Sequence, residues 1–422
     1  MINKRVLIIS NNALSDGNSN GRTLKNFFCT DDKEKLAQFF IQPDTPDFDV
    51  CEKYFCATDG QVLKSFLKGR SAGSVIEKKE DKESGIQAKA SKKKRRTPFT
   101  MLLRNFLWQR KKWRTGFYRW VEEYQPELVL LQAGDAPFMF DLAVEISKKY
   151  GAPLVIYNSE DYYFKDYNYF RNSGVWGMFY PTFRRTLRKA TKKAIEHASL
   201  SIYISEDLKN TYDKEFSKPS EYVYTATDVV PSESCQKESV FSYLGNLGLN
   251  RHLGLIDIGN ALNQINPAYK LDVYGKLPNE QVGKVFESAE GISYKGLISY
   301  EEVKEVIGKS MLVFHTESFE DFYVKDIRHG FSTKIADSLA SGTPLVVYAP
   351  ESISCSKYLK ENDCALVVSK KESLLEELRR MINDKEAREA YVQKALSIVE
   401  KNHRRENNQR KVESLLNGIR GN

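Results

Sequence analysis

Short, nearly unbroken apolar runs recur along the chain, separated by stretches in which apolar residues return every third or fourth position. In the first half the runs are residues 5–10, 36–42, 127–134, 153–158 and 200–205. In the second half they are 239–246, 270–275, 292–296, 311–316, 344–349 and 365–369. Runs this short and this apolar fit strands buried on both faces, and the intervening 3.6-residue period fits helices covering them. Two such series predict an α/β protein of two doubly wound, Rossmann-like domains with a cleft between them. Ligands of such sheets bind beyond the carboxyl ends of the strands. A loop-rich stretch near 218–235 marks the boundary. The expected division is 1–220, 221–395, and a C-terminal helix at 396–422 returning to the first domain.

One stretch breaks the pattern. Residues 71–98 are polar, charged and aperiodic, and read as a flexible basic insertion. Residues 99–124 then place Phe99, Leu103, Phe106, Trp113, Phe117, Trp120 and Tyr124 at helical spacing with basic residues between them, and are expected to form an amphipathic helix.

Composition narrows the class. Apolar residues make up 41% of 422, which excludes collagen, coiled coil and full disorder. No run approaches the roughly 20 apolar residues of a membrane-spanning helix. The N-terminal apolar stretch is short and reads as a first strand, not a signal peptide. The six cysteines form no CxxC pair, so a reduced, cytoplasmic chain without a zinc site is expected. The net charge of +8 is concentrated: residues 89–119 hold twelve Lys or Arg and no acid, and the remainder is slightly acidic. A local patch points to one anionic surface or ligand.

Three segments could carry chemistry. In FSTKIADSLASGTPLVVYAP (331–350), Ser332 and Thr333 are N-cap types, Lys334 falls in the first helical turn, and Asp337 lies one turn on. Free N–H groups and hydroxyls at a helix start suit an anion, and an anion would explain a lysine at the positive end of a helix dipole. A plain capped helix with a surface lysine fits equally well. In FSYLGNLGLNRHL (241–253), a strand ends in a turn with Gly245, Asn246 and Gly248, and Arg251 opens the next helix. Such a turn lets backbone approach a phosphate; it can also be an ordinary strand-to-helix turn. After the first strand, a polar loop leads through Gly21 and Arg22 to a helix and would face a ligand in the cleft.

Together these segments resemble bacterial GT-B glycosyltransferases, and within them glycosyltransferase family 4. The pattern at 332–342 followed by TPLVVYAP is similar to that family's donor-binding motif, with Asp337 where the family has its second Glu. Eight residues earlier the family has a Glu and this chain has His329; Glu317, at a strand end, is the expected substitute. The turn before Arg251 resembles the family's Gly-x-Leu turn and basic diphosphate contact, and NSNGRTL its first-domain glycine loop. The resemblance implies a retaining sugar transfer from a nucleotide-diphosphate donor, UDP- or GDP-linked, with no metal or other cofactor. It places the diphosphate against Gly21, Arg22, Asn246, Arg251, Ser332, Thr333 and Lys334, and the ribose on Asp337. The single Asp-x-Asp, Asp47 and Asp49, lies in a proline-rich turn far from the donor motif and is not assigned a metal.

Glu160 and Asp161 follow the strand at 153–158, and Asp135 follows the strand at 127–134. All three could contact the acceptor or act as acid or base, or simply cap turns. Glu317, Glu160 and Asp161 are the catalytic candidates. His197 reads as structural, and His315 as lining the cleft or core. Residues 162–183 hold ten aromatics and are followed by a basic helix. Basic faces with aromatics suit an anionic membrane, as an enzyme on the inner face of the plasma membrane with a polyprenyl-linked or glycan acceptor would need. Solvated helix faces over an ordinary core fit as well. No nucleic-acid module matches. The function expected is glycosyl transfer in bacterial surface polysaccharide (capsule) synthesis; a non-catalytic GT-B scaffold subunit and a GT-B sugar-nucleotide epimerase are the alternatives.

Overall fold

The computed structural model describes residues 1–69, 71–78, 96–171, 173–231 and 239–420. Most of the insertion expected at 71–98, the polybasic run Lys89–Arg95 and residues 232–238 of the expected linker lie outside these.

The chain forms two compact units. The first is Met1–Tyr224 with Asn408–Asn422, and the second is Thr225–Asn407. The first holds β1 (Val6–Ser10), β2 (Leu36–Phe40), β3 (Lys53–Cys56), β4 (Ser74–Ile76), β5 (Leu128–Gln132), β6 (Leu154–Asn158), β7 (Leu200–Tyr203) and β8 (Ser220–Tyr222). Their order is β4-β3-β2-β1-β5-β6-β7-β8, parallel except for β4 against β3. The second unit holds β9 (Phe241–Leu244), β10 (Leu271–Tyr274), β11 (Ile292–Gly296), β12 (Leu312–Thr316), β13 (Leu345–Tyr348) and β14 (Leu366–Val368), in the order β11-β10-β9-β12-β13-β14, all parallel. Each sheet therefore reverses its direction of winding once, between β1 and β5 and between β9 and β12. At those points the loops leaving adjacent strands diverge to opposite faces and open a crevice.

The strands sit where the apolar runs are because every residue of β1, β2, β5, β6, β12 and β13 is buried. β3 and β8, short and partly polar, have no counterpart among those runs. β4 lies inside the stretch that reads as a flexible insertion. The last helix, Arg405–Gly418, packs Val412 and Leu416 into the first unit's core.

The aromatic-basic stretch is not one helix. It forms helices Pro98–Trp108 and Thr115–Tyr124 around a tight turn at Lys111–Arg114. Trp108, Trp113, Phe117, Trp120 and Tyr124 are buried. Trp108 stacks on Phe138 at 4.5 Å, and Phe117 packs on Phe39 of β2 at 4.5 Å. These rings are core, so this half of the aromatic signal is explained by packing. One of the twelve basic residues is core too. Buried Arg114 donates to Glu145 at 2.6 Å and to the Trp108 carbonyl at 3.1 Å.

The second unit contains a fully buried histidine. His403 Nδ1 lies 2.8 Å from the Thr225 carbonyl and must carry the proton to donate there. Its Nε2 then accepts from the Tyr358 hydroxyl at 2.9 Å, and that hydroxyl accepts from Asn402 Nδ2 at 2.9 Å. Burial lowers the His403 pKa to about 4, although the carbonyl partner favours the protonated ring. The unfolded chain titrates near pH 6.5, so it binds the extra proton first as pH falls. Stability should therefore decline between about pH 6.5 and pH 4, by on the order of 3 kcal/mol from this group. Denaturant titrations across that range should show a shallower decline for His403→Gln than for the parent.

Candidate functional site

In the second unit, the crevice between β9 and β12 is built from their two following loops. The loop after β9 runs Gly245–Asn250 into the helix Arg251–Ile265. Two consecutive non-glycine residues, Leu249 and Asn250, are left-handed, with φ of 62° and 56°. Such strain persists only where surroundings over-determine it, and here they do. Asn250 Nδ2 donates to Glu320 at 2.7 Å, and Asn246 Oδ1 accepts from the Gly248 amide at 2.8 Å. Gly254, in the first turn of the helix, lies so close to Thr316 that any Cβ would collide with that side chain. Glycine thus lets the helix start sit directly on the end of β12.

This close approach joins a charge pair. Arg251 donates to Glu317 from Nε at 2.7 Å and from Nη2 at 2.8 Å, a two-pronged bridge. The Glu317 side chain is 5% exposed and that of Arg251 13%. The third nitrogen, Nη1, reaches the Asn246 carbonyl at 3.3 Å, and His315 Nε2 lies 3.2 Å from Glu317 Oε1. Burial alone would raise the Glu317 pKa. The His315 contact and the Arg251 charge outweigh it and hold the carboxyl at about 2. A carboxylate so held, with both oxygens occupied, is not a proton carrier near neutral pH. Two residues expected to act separately, Arg251 on the diphosphate and Glu317 in catalysis, are thus one unit, and both are largely withdrawn from solvent.

The second candidate element is the helix Thr333–Ala340, with Ser332 at its N-cap. The Ser332 side chain makes no capping bond, so its hydroxyl is not spent on the helix's own amides. Phe331, just before it, is wedged against Tyr358 and His403, at 5.2 and 5.9 Å between ring centroids. That wedge fixes where the helix begins. Thr333 and Lys334 are half-buried in the first turn. Asp337, expected on a ribose, accepts from Thr227 Oγ1 at 2.6 Å and lies 3.3 Å from the Tyr300 hydroxyl. Neither partner was legible in the sequence, because 110 and 37 residues separate them from Asp337.

The first unit presents its own loops at the β1–β5 reversal. Asn18 caps the helix Ser19–Lys25 by accepting from the Gly21 amide at 2.7 Å, and a Cβ on Gly21 would collide with the Ala13 carbonyl. Arg22 reaches the Asp16 carbonyl at 3.2 Å. Asp135, in the loop after β5, accepts from Arg96 and lies 3.4 Å from the Tyr169 hydroxyl. Asp161 accepts from the Phe164 amide at 3.0 Å and from Tyr212 at 3.1 Å, a turn-capping arrangement. Glu160 is exposed. Asp47 is tied to Lys25 at 2.6 Å and to the Asp49 amide at 2.9 Å. His197 joins two helices through Ser147 Oγ at 2.9 Å. No group of three metal-ligating side chains occurs among the described residues.

Comparison with known proteins agrees with this architecture. Residues 258–416 match the family model described as glycosyl transferase-like. Among solved structures, HepE of Anabaena in complex with UDP aligns over 98% of this chain and 100% of its own, with TM-score 0.65 at 12% identity. Sucrose-phosphate synthase of Thermosynechococcus elongatus aligns over 98% of each chain, with TM-score 0.62 at 10% identity. WaaG, a glycosyltransferase involved in lipopolysaccharide biosynthesis, aligns over 98% of this chain and 100% of its own, with TM-score 0.57 at 11% identity. A sequence search of curated proteins found no match. The fold is GT-B, and most of the second unit is similar to the glycosyl transferase-like family.

The buried pair generates a test of its own. Arg251→Ala leaves a desolvated carboxylate unpaired and should cost about 3–5 kcal/mol of unfolding free energy. Replacing both partners, Arg251→Met with Glu317→Leu, should recover most of that loss. Chemical denaturation of the three proteins measures it.

Proposed function

We propose that the protein transfers a sugar from a nucleoside-diphosphate donor to a glycan or lipid-linked acceptor, with retention of configuration and without a metal, in bacterial surface polysaccharide synthesis. The observation that carries this reading is the helix start at Ser332. An unused N-cap hydroxyl, a second hydroxyl at Thr333 and the Lys334 ammonium share one helix N-terminus in the unit that matches the glycosyl transferase-like model. The UDP and UDP-glucose complexes of HepE support uridine as the base.

In this reading the chemistry is leaving-group stabilisation. As the glycosidic bond breaks, negative charge grows on the departing diphosphate. The Arg251–Glu317 pair is neutral overall, so Lys334 and the helix dipole supply the net positive field. Glu317 acts as a positioning residue. It aligns the guanidinium of Arg251 so that its remaining N–H groups reach the diphosphate at little orientational cost. Asp337 acts through the Thr227 and Tyr300 contacts, which hold the donor helix in place. In the first unit, exposed Glu160 and the Arg96–Asp135 pair are the groups offered to an acceptor.

Stabilisation against heat by nucleoside diphosphates tests this directly. UDP should raise the melting temperature, EDTA should not abolish the shift, and Lys334→Ala should reduce that shift strongly relative to its own unliganded protein. An absent shift with UDP, GDP, ADP and CDP alike would overturn the reading.

A further inference from the structure

Among the described residues, no helix is long and apolar enough to cross a membrane. The first unit nevertheless exposes a continuous apolar ridge. The helix Pro98–Trp108 is apolar on two sides. Its inner face buries Met101 and Trp108, while Phe99, Leu103 and Phe106, at i, i+4 and i+7, lie along the other. A helix apolar all round belongs in a core or a bilayer, and this one has a core on one side only. Leu103 and Phe106 are exposed.

The ridge continues onto both neighbours. On one side lies the helix Asp59–Lys68, where Phe66 meets Phe106 at 6.4 Å and Leu67 is 71% exposed. On the other lies the turn Gly174–Phe179, where Trp176 stacks on Phe99 at 4.7 Å, and Val175 and Met178 are 77% and 76% exposed. Three separate segments thus bring large apolar side chains to one surface, which isolated exposed residues do not do.

The charge around the ridge selects its occupant. The segments 98–119 and 174–195 contain no acidic residue. The one acid of Asp59–Lys68, Asp59, is exposed but paired, accepting from Arg104 at 2.8 Å and from the Trp108 indole at 2.7 Å. Exposed cations border the apolar residues: Lys64 and Lys68, then Arg110, Lys111 and Lys112, then Arg185. Arg110 lies 4.0 Å from the centre of the Phe106 ring, with its stem along the apolar face. Apolar side chains set among an excess of cations, with Asp59 and Asp141 each held by a neighbouring side chain, match the interface of an anionic bilayer, where chains insert and headgroups pair with Lys and Arg. We propose that this face, formed by Asp59–Lys68, Pro98–Lys112 and Gly174–Phe179, is a docking surface for an anionic phospholipid membrane. It is distinct from the buried aromatics of Trp113–Tyr124, which pack the core. Only its purpose, bringing the enzyme to a lipid-linked acceptor, rests on the transferase reading.

Flotation of the full chain with vesicles decides it. The protein should bind vesicles of phosphatidylglycerol in phosphatidylcholine, bind pure phosphatidylcholine at least about tenfold more weakly, and lose binding to the anionic vesicles as salt rises. The variant Leu67→Ser/Val175→Ser/Met178→Ser alters exposed positions and should keep the parent's melting temperature and UDP response. It should bind anionic vesicles at least about tenfold more weakly. Equal binding by parent and variant, or none by the parent, overturns the proposal. So does a parent that light scattering shows to be a dimer, ignoring vesicles, and that the variant converts to a monomer. Because UDP response and flotation are read separately, failure of the donor site and failure of the docking surface are told apart.

Discussion

A carboxylate and a guanidinium, both removed from water, face each other at the carboxyl end of the second sheet, and the surrounding loops are built to hold them there. Desolvating two charges costs several kcal/mol each, and the attraction offsets this only when geometry is good and the remaining donors are satisfied. Both conditions are met. Glu317 follows β12 directly and Arg251 opens the helix after β9, two strands adjacent only because the sheet changes winding direction between them. The missing side chain of Gly254 allows the approach, and the left-handed Leu249 and Asn250 are the backbone cost of it.

In the proposed donor crevice, that pair also divides the labour. A buried, neutral, two-pronged bridge contributes orientation more than field. Under the proposed transfer, net positive character is left to Lys334 and to the amides at the start of Thr333–Ala340. The position of that start depends on Phe331 packed against His403 and Tyr358. His403 stays neutral because burial lowers its pKa to about 4, so the support does not change charge near neutral pH.

The aromatic and basic stretch after residue 96 shows how one sequence signal can serve two ends. Its second part, from Trp113, turns its rings inward, and even a cation, Arg114, is drawn into the core by Glu145. Its first part keeps an outward face because the side chains of Phe99, Leu103 and Phe106 have a helical phase opposite to Met101 and Trp108. Helical periodicity reports that apolar residues share a face; it does not report which neighbour that face meets.

Read alone, the chain determined its two parallel-sheet units, its strand positions in the second half, and the helix start at Ser332. These follow from local rules, namely apolar runs, N-cap residues and helix-ending glycine, which need no distant partner. Tertiary structure alone decided that Glu317 answers Arg251 across 66 residues, that Asp337 answers Thr227 across 110, and that the outward face of Pro98–Trp108 meets ridges from two other segments. Those contacts depend on strand order and on which loops the winding reversal brings together. Strand order is a property of long-range packing that spacing along the chain does not encode.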